Sequence, residues 1–301
     1  MHDLRAAKEH VSVTELLVAT ASERPGQPVA ARVVVSDDYD VTSERVDAWL
    51  DRGQITSASV AFSRDNAAAP LSLISSDFEV QGRTWPFLLS SDKVRRLVND
   101  GYTMVISGPE IWDEALRRSA LDVVGAMVAS LNTMIFLTPP GSSGFHQHRD
   151  PDDHVVVVQT EGSKTWRLYD AAPDGWTEDD PTRPEPESLS AEVNLDVGDT
   201  LVIPRGWGHA ACTGPAALST HLSFGINYVS PAHMLRTALI GRLRQMRESA
   251  TLEETETAYR ALVDEFERCD VGDLVREYVS APYRTGELRL GDIAVRRSRQ
   301  M

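Results

Sequence analysis

The spacing of apolar positions along this chain changes twice. Hydrophobic residues recur at helical intervals in short stretches up to about residue 131. They alternate, or gather in β-branched blocks, between 133 and 227, and return to helical intervals after Pro231. Within residues 1–90 the signals are mixed. A strand is predicted at Ala30–Ser36 and a helix at Ser43–Asp51, whose Val46, Trp49 and Leu50 share one face before Gly53 ends it. Lys93–Asn99 then reads as a helix and Tyr102–Ser107 as a strand. Pro109 opens a helix in its first turn, carrying Leu116, Ala120, Val123, Val124, Met127, Val128 and Leu131.

The next runs are Thr133–Leu137, His154–Gln159, Thr165–Tyr169, Thr200–Ile203 and Ala217–Asn227. Each is short, rich in β-branched or aromatic residues and bounded by Pro, Gly or Asp, the pattern of a small all-β barrel or sandwich. Thr160–Lys164 reads as a hairpin turn, and Ala171–Leu195 as a solvated loop or an acidic lid. Helices are predicted at His233–Arg247 and from Thr251, where Thr251 and Glu254 have capping-box spacing. The expected organisation is mainly β with flanking helices: α/β elements over 1–90, a barrel over 91–230 and a helical region over 231–301.

Charge narrows the partners. The 301 residues carry a net charge of −15, which repels phosphate, so nucleic-acid and anionic-membrane binding are disfavoured. Two cysteines, Cys212 and Cys269, are too few for a disulfide scaffold or a thiolate zinc site. No apolar run reaches the roughly 18 residues of a membrane helix, and MHDLRAAKEH is too charged for a signal peptide. A cytoplasmic protein is expected. The segment Ala171–Leu195 holds seven acidic residues against Arg183 alone; it either draws a basic substrate to the barrel or serves only solubility.

Five of the eight histidines fall between residues 146 and 221. In GFHQHRD, His148 and Asp150 stand two apart, so an extended backbone points both side chains to one side. His209 follows in GDTLVIPRGWGHA, presented by the Pro204-Arg205-Gly206 turn. Two imidazoles and a carboxylate cover one face of a six-coordinate ion and leave the other open, the ligand set of non-haem Fe(II) oxygenases. Lysine is scarce, three against 27 Arg, which draws attention to Lys164 in EGSKTW.

The blocks LTPPGSSGFHQHRDPDDHVVVVQTEGSKTWRLYD, LDVGDTLVIPRGWGHAA and LSTHLSFGIN, preceded by NDGYTMVISGPEIWDEAL, resemble the JmjC-type ribosomal oxygenases of the cupin superfamily over roughly residues 90–230. The resemblance implies a double-stranded β-helix and a 2-oxoglutarate-dependent hydroxylase acting with dioxygen on an amino-acid side chain in a protein or peptide, with a free amino acid or a natural product as the alternative substrate. It also implies that His148, Asp150 and His209 hold Fe(II), that Lys164 meets the far carboxylate of 2-oxoglutarate, and that the molecule pairs as a homodimer through C-terminal helices. The family's second co-substrate contact, an asparagine before the motif, has no clear match: Asn132 lies early, and Thr133 or Met134 takes its place. On the returning strand Ser219, His221 and Ser223 are further candidates, His221 equally readable as a barrel histidine. One extra residue after Asp150 implies a bulge at Pro151–Asp153.

Two other readings use the same barrel. His146, His148 and His209 with a carboxylate such as Asp152 would suit a Mn or Fe dioxygenase, isomerase or sugar-binding cupin acting on a small molecule. A non-catalytic JmjC-like module would use the barrel as a peptide groove, although a complete ligand set argues against it. Trp85, Trp112 and Trp207 read as core or rim aromatics, and Cys212 as a small buried residue.

Overall fold

The computed structural model describes residues 11–126, 129–150, 153–172, 188–228, 251–268, 270 and 272. The chain divides into two compact units, Met1–Val229 and Ser230–Met301.

In the first unit, β1 (Val11–Ser12) leads into helix α1 (Val13–Glu23), which starts on a capping box between Ser12 and Glu15. Strand β2 (Val29–Val34), helix α2 (Ser43–Asp51), strands β3 (Val60–Arg64) and β4 (Ala67–Ala68), the hairpin β5 (Ser75–Val80) and β6 (Arg83–Leu89), and helix α3 (Ser91–Asn99) follow. Next come β7 (Thr103–Ser107), a 3-10 turn at Pro109–Ile111 and helix α4 (Glu114–Ala126). Strands β8 (Ala129–Thr138), β9 (His148–Arg149), β10 (Asp153–Glu161), β11 (Lys164–Ala171), β12 (Leu189–Leu195), β13 (Asp199–Ile203), β14 (Trp207–Cys212) and β15 (Ser219–Tyr228) complete it.

These strands build two facing sheets. The larger runs β1-β2-β13-β10-β15-β8-β7-β3-β4 and the smaller β12-β11-β14-β9, while β5 and β6 pair only with each other. Val155, Val157, Leu201 and Ile203 from the larger sheet meet Trp166, Leu168 and Leu195 from the smaller in a continuous core. Val156 and Val158, on the opposite face of β10, are equally buried, so the run Val155–Val158 is apolar throughout and not alternating. Each such valine contributes roughly 1.5–3 kcal/mol. Because β2 pairs with β13 and β3 with β7, residues before 90 are woven into the barrel's own sheet.

Three expectations need correction, and one element was not expected. Helix α4 stops at Ala126, and Leu131 lies on β8. Leu131 fits both periods: it continues the helical series, and it belongs to the alternating set Ala129, Leu131, Thr133, Ile135 and Leu137 that β8 buries. Thr160–Lys164 is not a hairpin turn. Strand β10 pairs with β13 and β15, and β11 with β12 and β14, so the chain crosses between sheets at Gly162. That residue has φ +63° and sits hard against the Leu218 carbonyl, which suits glycine alone. The acidic segment ends in a strand, since Leu189–Leu195 pairs along β11 with Ala191 and Val193 packed on the core. Finally, the β5–β6 hairpin went unpredicted.

In the second unit, the helix Leu252–Arg268 opens on the expected capping box. The Glu254 backbone N–H donates to Thr251 Oγ1 (3.2 Å), and the Thr251 N–H to Glu254 Oε2 (3.0 Å). The expected helix at His233–Arg247, the bulge at Pro151–Asp153, Asp152 and most of the acidic segment lie outside the described residues. No helix among the described residues is long and apolar enough to cross a membrane.

Candidate metal centre

The smaller sheet brings the three sequence-predicted ligands together. Gly198, at φ +88°, turns the chain into β13, and Gly206, at φ +77°, closes the turn that starts β14. Strand β9 pairs with β14 so that His148 lies directly opposite His209, with ring centroids 4.3 Å apart. The Gly206 N–H donates to the Asp150 carbonyl at 2.8 Å, tying the aspartate to the turn that delivers His209. Asp150 Oδ2 is 3.5 Å from His209 Nε2, and one ligand atom from each of His148, Asp150 and His209 lies within 4.8 Å of the others.

Both imidazoles are oriented for coordination. His148 Nδ1 lies 2.9 Å from the His146 carbonyl and His209 Nδ1 3.2 Å from the Trp207 carbonyl. Each Nδ1–H donates to the backbone and leaves Nε2 free, the usual arrangement behind a metal-binding histidine. Burial, helped by the neighbouring His148 and opposed by Asp150, pushes His209 down to about 4, so it is neutral at pH 7. Two imidazoles and a carboxylate on one side suit a divalent first-row metal with open positions.

The triad lines a cavity of about 240 Å³ whose wall is mostly apolar, with Met134, Phe136, Phe145, Val155 and Trp166 among its residues. Lys164, at the start of β11, also reaches it, although the side chain is only 4% exposed. Its ammonium donates to Thr138 Oγ1 at 2.9 Å, and Thr103 Oγ1 donates to the same hydroxyl at 3.3 Å. Among the described residues no carboxylate pairs with it, and burial pushes it down to about 7. A buried cation facing a cavity with only a neutral partner is poised for an anion.

His221 lines the same cavity. Its ring stacks on Phe136 at 4.9 Å and meets Trp166 edge-on at 5.4 Å. Burial and the Lys164 charge hold it well below the usual histidine range, hence neutral. Ser223 lines the cavity too, whereas Ser219 does not; its hydroxyl accepts from Gln159 Nε2 at 2.8 Å. Thr133 is also absent from the wall. On β8 it points with Ile135 away from Met134 and Phe136, towards Glu110, whose carboxyl burial pushes up to about 7.

His146 is exposed and contributes its carbonyl to His148, not its ring to the cluster. Trp112 packs edge-on against Trp49 and Trp207 donates to the Gly26 carbonyl; the side chain of Trp85 is outside the description. Cys212 is half-buried and free. Thr138 and Thr103 were not foreseen. The signal for Thr138 was the alternation Met134, Phe136, Thr138 along one face of β8.

A two-sheet barrel with two histidines and an aspartate converging on its inner wall defines a cupin-type metal site. More specifically, residues 114–234 match the family model of the JmjC domain. The bifunctional lysine-specific demethylase and histidyl-hydroxylase NO66 of Drosophila grimshawi is 32% identical over 133 residues, 42% of this chain and 18% of that protein. Ribosomal oxygenase 1 of Gallus gallus is 39% identical over 102 residues, 32% of this chain and 16% of that protein. The chain thus matches less than a fifth of the length of either. Among solved structures, Escherichia coli ycfD superposes with a TM-score of 0.53 at 13% identity, over 90% of this chain and 72% of that one. The structure of the ribosomal oxygenase YcfD in complex with cobalt and 2-oxoglutarate gives 0.50 at 12% identity, over 88% and 69%. At these identities the structural likeness establishes the fold.

Proposed function

We propose that this chain is an Fe(II)- and 2-oxoglutarate-dependent oxygenase that hydroxylates an amino-acid side chain in a protein or peptide. One observation carries the reading: the His148, Asp150 and His209 triad shares a single apolar cavity with Lys164, a buried cation without an acidic partner among the described residues. The histidyl-hydroxylase and ribosomal oxygenase relatives, and the cobalt and 2-oxoglutarate bound by YcfD, support the same chemistry.

His148 and His209 hold the metal through Nε2 and Asp150 through its carboxylate. A ferrous ion bound there supplies dioxygen activation coupled to oxidative decarboxylation of 2-oxoglutarate, giving succinate, carbon dioxide and one oxygen atom inserted into a substrate C–H bond. Lys164 takes the far carboxylate of 2-oxoglutarate, its ammonium aimed by the Thr138 hydroxyl. His221, clamped between Phe136 and Trp166, and Ser223 offer neutral polar contacts beside it. The aromatic wall excludes water from the reacting atoms. Thr133 and Ser219 do not line the cavity, so these roles rest on the other residues.

A net charge of −15 favours a basic peptide segment as substrate. We further propose a cytoplasmic homodimer, which light scattering tests: a particle of about 33.2 kDa, the mass of one chain, would exclude the dimer. The hydroxylase reading is tested by mass spectrometry of a peptide library or cell extract treated with enzyme, Fe(II) and 2-oxoglutarate. Products one oxygen atom heavier should appear with the wild type and not with Asp150→Ala. Activity retained in Asp150→Ala and lost in His146→Ala would transfer the site to the three-histidine alternative.

A further inference from the structure

Arg149 stands between two proposed ligands and has no part in the roles above. We propose that it is a positioning residue, whose ion pair with Asp170 locks the ligand strand β9 in place. This rests on the metal-centre reading.

Neighbouring residues on a strand point to opposite sides, so the Arg149 side chain leaves β9 from the face away from His148. Strand β9 is only two residues long and pairs with β14 at two positions, Arg149 with Gly208 and His148 with His209. So short a ladder at the edge of a sheet is weak by itself. The Arg149 guanidinium supplies what the ladder lacks. Its Nη2 donates to Asp170 Oδ2 at 3.0 Å and to the Asp170 carbonyl at 3.3 Å. Asp170 lies near the end of β11, and in the sheet β14 separates β11 from β9. The arginine therefore spans β14 and fastens β9 to the second strand along.

Further backbone bonds make this fastening part of a closed circuit. The Ala172 N–H donates to the Gly206 carbonyl, and the Gly206 N–H to the Asp150 carbonyl, each at 2.8 Å. The path from Arg149 through Asp170, Ala172 and Gly206 thus returns to Asp150, the next residue after Arg149. Asp170 Oδ1 also accepts from the Ser188 N–H at 3.3 Å, just ahead of β12. The Arg149 side chain is 1% exposed and that of Asp170 44%. A guanidinium that deeply buried needs its carboxylate partner, whereas Asp170 can be altered from the solvent side. Partners that orient metal ligands without touching the metal typically set affinity by ten- to a hundredfold.

The test uses the full chain and Co(II) in place of iron, so that the readout does not depend on turnover. Co(II) affinity is measured by competition with a chelator, the coordination by the visible Co(II) absorption band, and folding by circular dichroism of the metal-free protein. Asp170→Asn and Arg149→Met should each remain folded, bind Co(II) roughly ten- to a hundredfold more weakly than the wild type, and show an altered band. Asp170→Glu, which keeps the carboxylate, should recover most of the affinity. If one of the first two variants does not fold, the other carries the same comparison. Wild-type affinity and an unchanged band in the folded variants would overturn the positioning role while leaving the metal centre standing. Failure of the wild type itself to bind Co(II) would overturn the metal centre, and this inference with it.

Discussion

Replacing Lys164 by methionine separates the cost of a buried cation from its use. The side chains are similar in length, so the change removes charge with little loss of packing. The ammonium is 4% exposed, has one neutral hydroxyl partner, and is pushed from 10.5 to about 7 by burial. At about 1.4 kcal/mol per unit, that depression corresponds to a destabilisation of roughly 5 kcal/mol when the lysine is charged in the unfolded chain. The sign follows from proton binding. The unfolded chain keeps its proton up to 10.5 and the folded one releases it near 7, so the penalty is full below pH 7 and fades as pH rises towards 10.5. Losing the bond to Thr138 returns roughly 1 kcal/mol of that gain. Lys164→Met should therefore melt several degrees higher than the wild type at pH 7 without ligands, and the advantage should vanish near pH 10.

The same variant should need about tenfold or more 2-oxoglutarate for half-maximal turnover, because a charge-assisted bond of roughly 1.5–3 kcal/mol is gone. Scanning calorimetry across pH and a 2-oxoglutarate titration of decarboxylation give the two readouts. A lower melting temperature at pH 7 would refute the burial argument, and an unchanged 2-oxoglutarate requirement would refute the binding role.

Three further outcomes are expected. Asp150→Ala should abolish 2-oxoglutarate turnover with the fold intact by circular dichroism, since Asp150 lies past the end of β9 and outside the core, whereas the exposed His146→Ala should stay active. Burial pushes Lys164 down to about 7, and the proposed role requires it to be charged when it holds the co-substrate. Wild-type affinity for 2-oxoglutarate should therefore fall by up to about tenfold per pH unit above 7, and Lys164→Arg, whose charge is permanent, should give a flatter profile by calorimetric titration. Gly162→Ala forces a side chain into a left-handed conformation against the Leu218 carbonyl. It should cost roughly 2 kcal/mol or more in urea denaturation, and an unshifted midpoint would contradict the assigned turn.

The parts of the site that are local in sequence were legible. His148 and Asp150 share one face of an extended segment, and His209 follows a Gly-and-Pro-punctuated strand, so alternation and turn chemistry made them candidates beside the His146, His148 and His209 set, and the family resemblance chose between the two. Lys164 stood out by scarcity in an Arg-rich chain. What sequence could not supply was partnership across the barrel. The Thr103, Thr138 and Lys164 chain of polar contacts joins three strands far apart in sequence. Thr133 lies one residue from the cavity-lining Met134, yet strand phase turns it to the opposite face. TEGSK has the composition of a hairpin turn, but which sheet each flanking strand joins is decided by non-local pairing, which turn residues do not encode. The strand Leu189–Leu195 was hidden because its alternating Leu, Ala and Val positions adjoin a strongly acidic stretch.

Whether the triad and Lys164 form one oxygenase centre, as proposed, is decided by isotope transfer. Purified enzyme with Fe(II) and 2-oxoglutarate is exposed to heavy-isotope dioxygen and the succinate is read by mass spectrometry. Succinate carrying one heavy oxygen atom is expected with the wild type and none above background with Asp150→Ala. Intact 2-oxoglutarate after incubation of the iron-loaded wild type, or equal labelling with Asp150→Ala, would contradict the proposal.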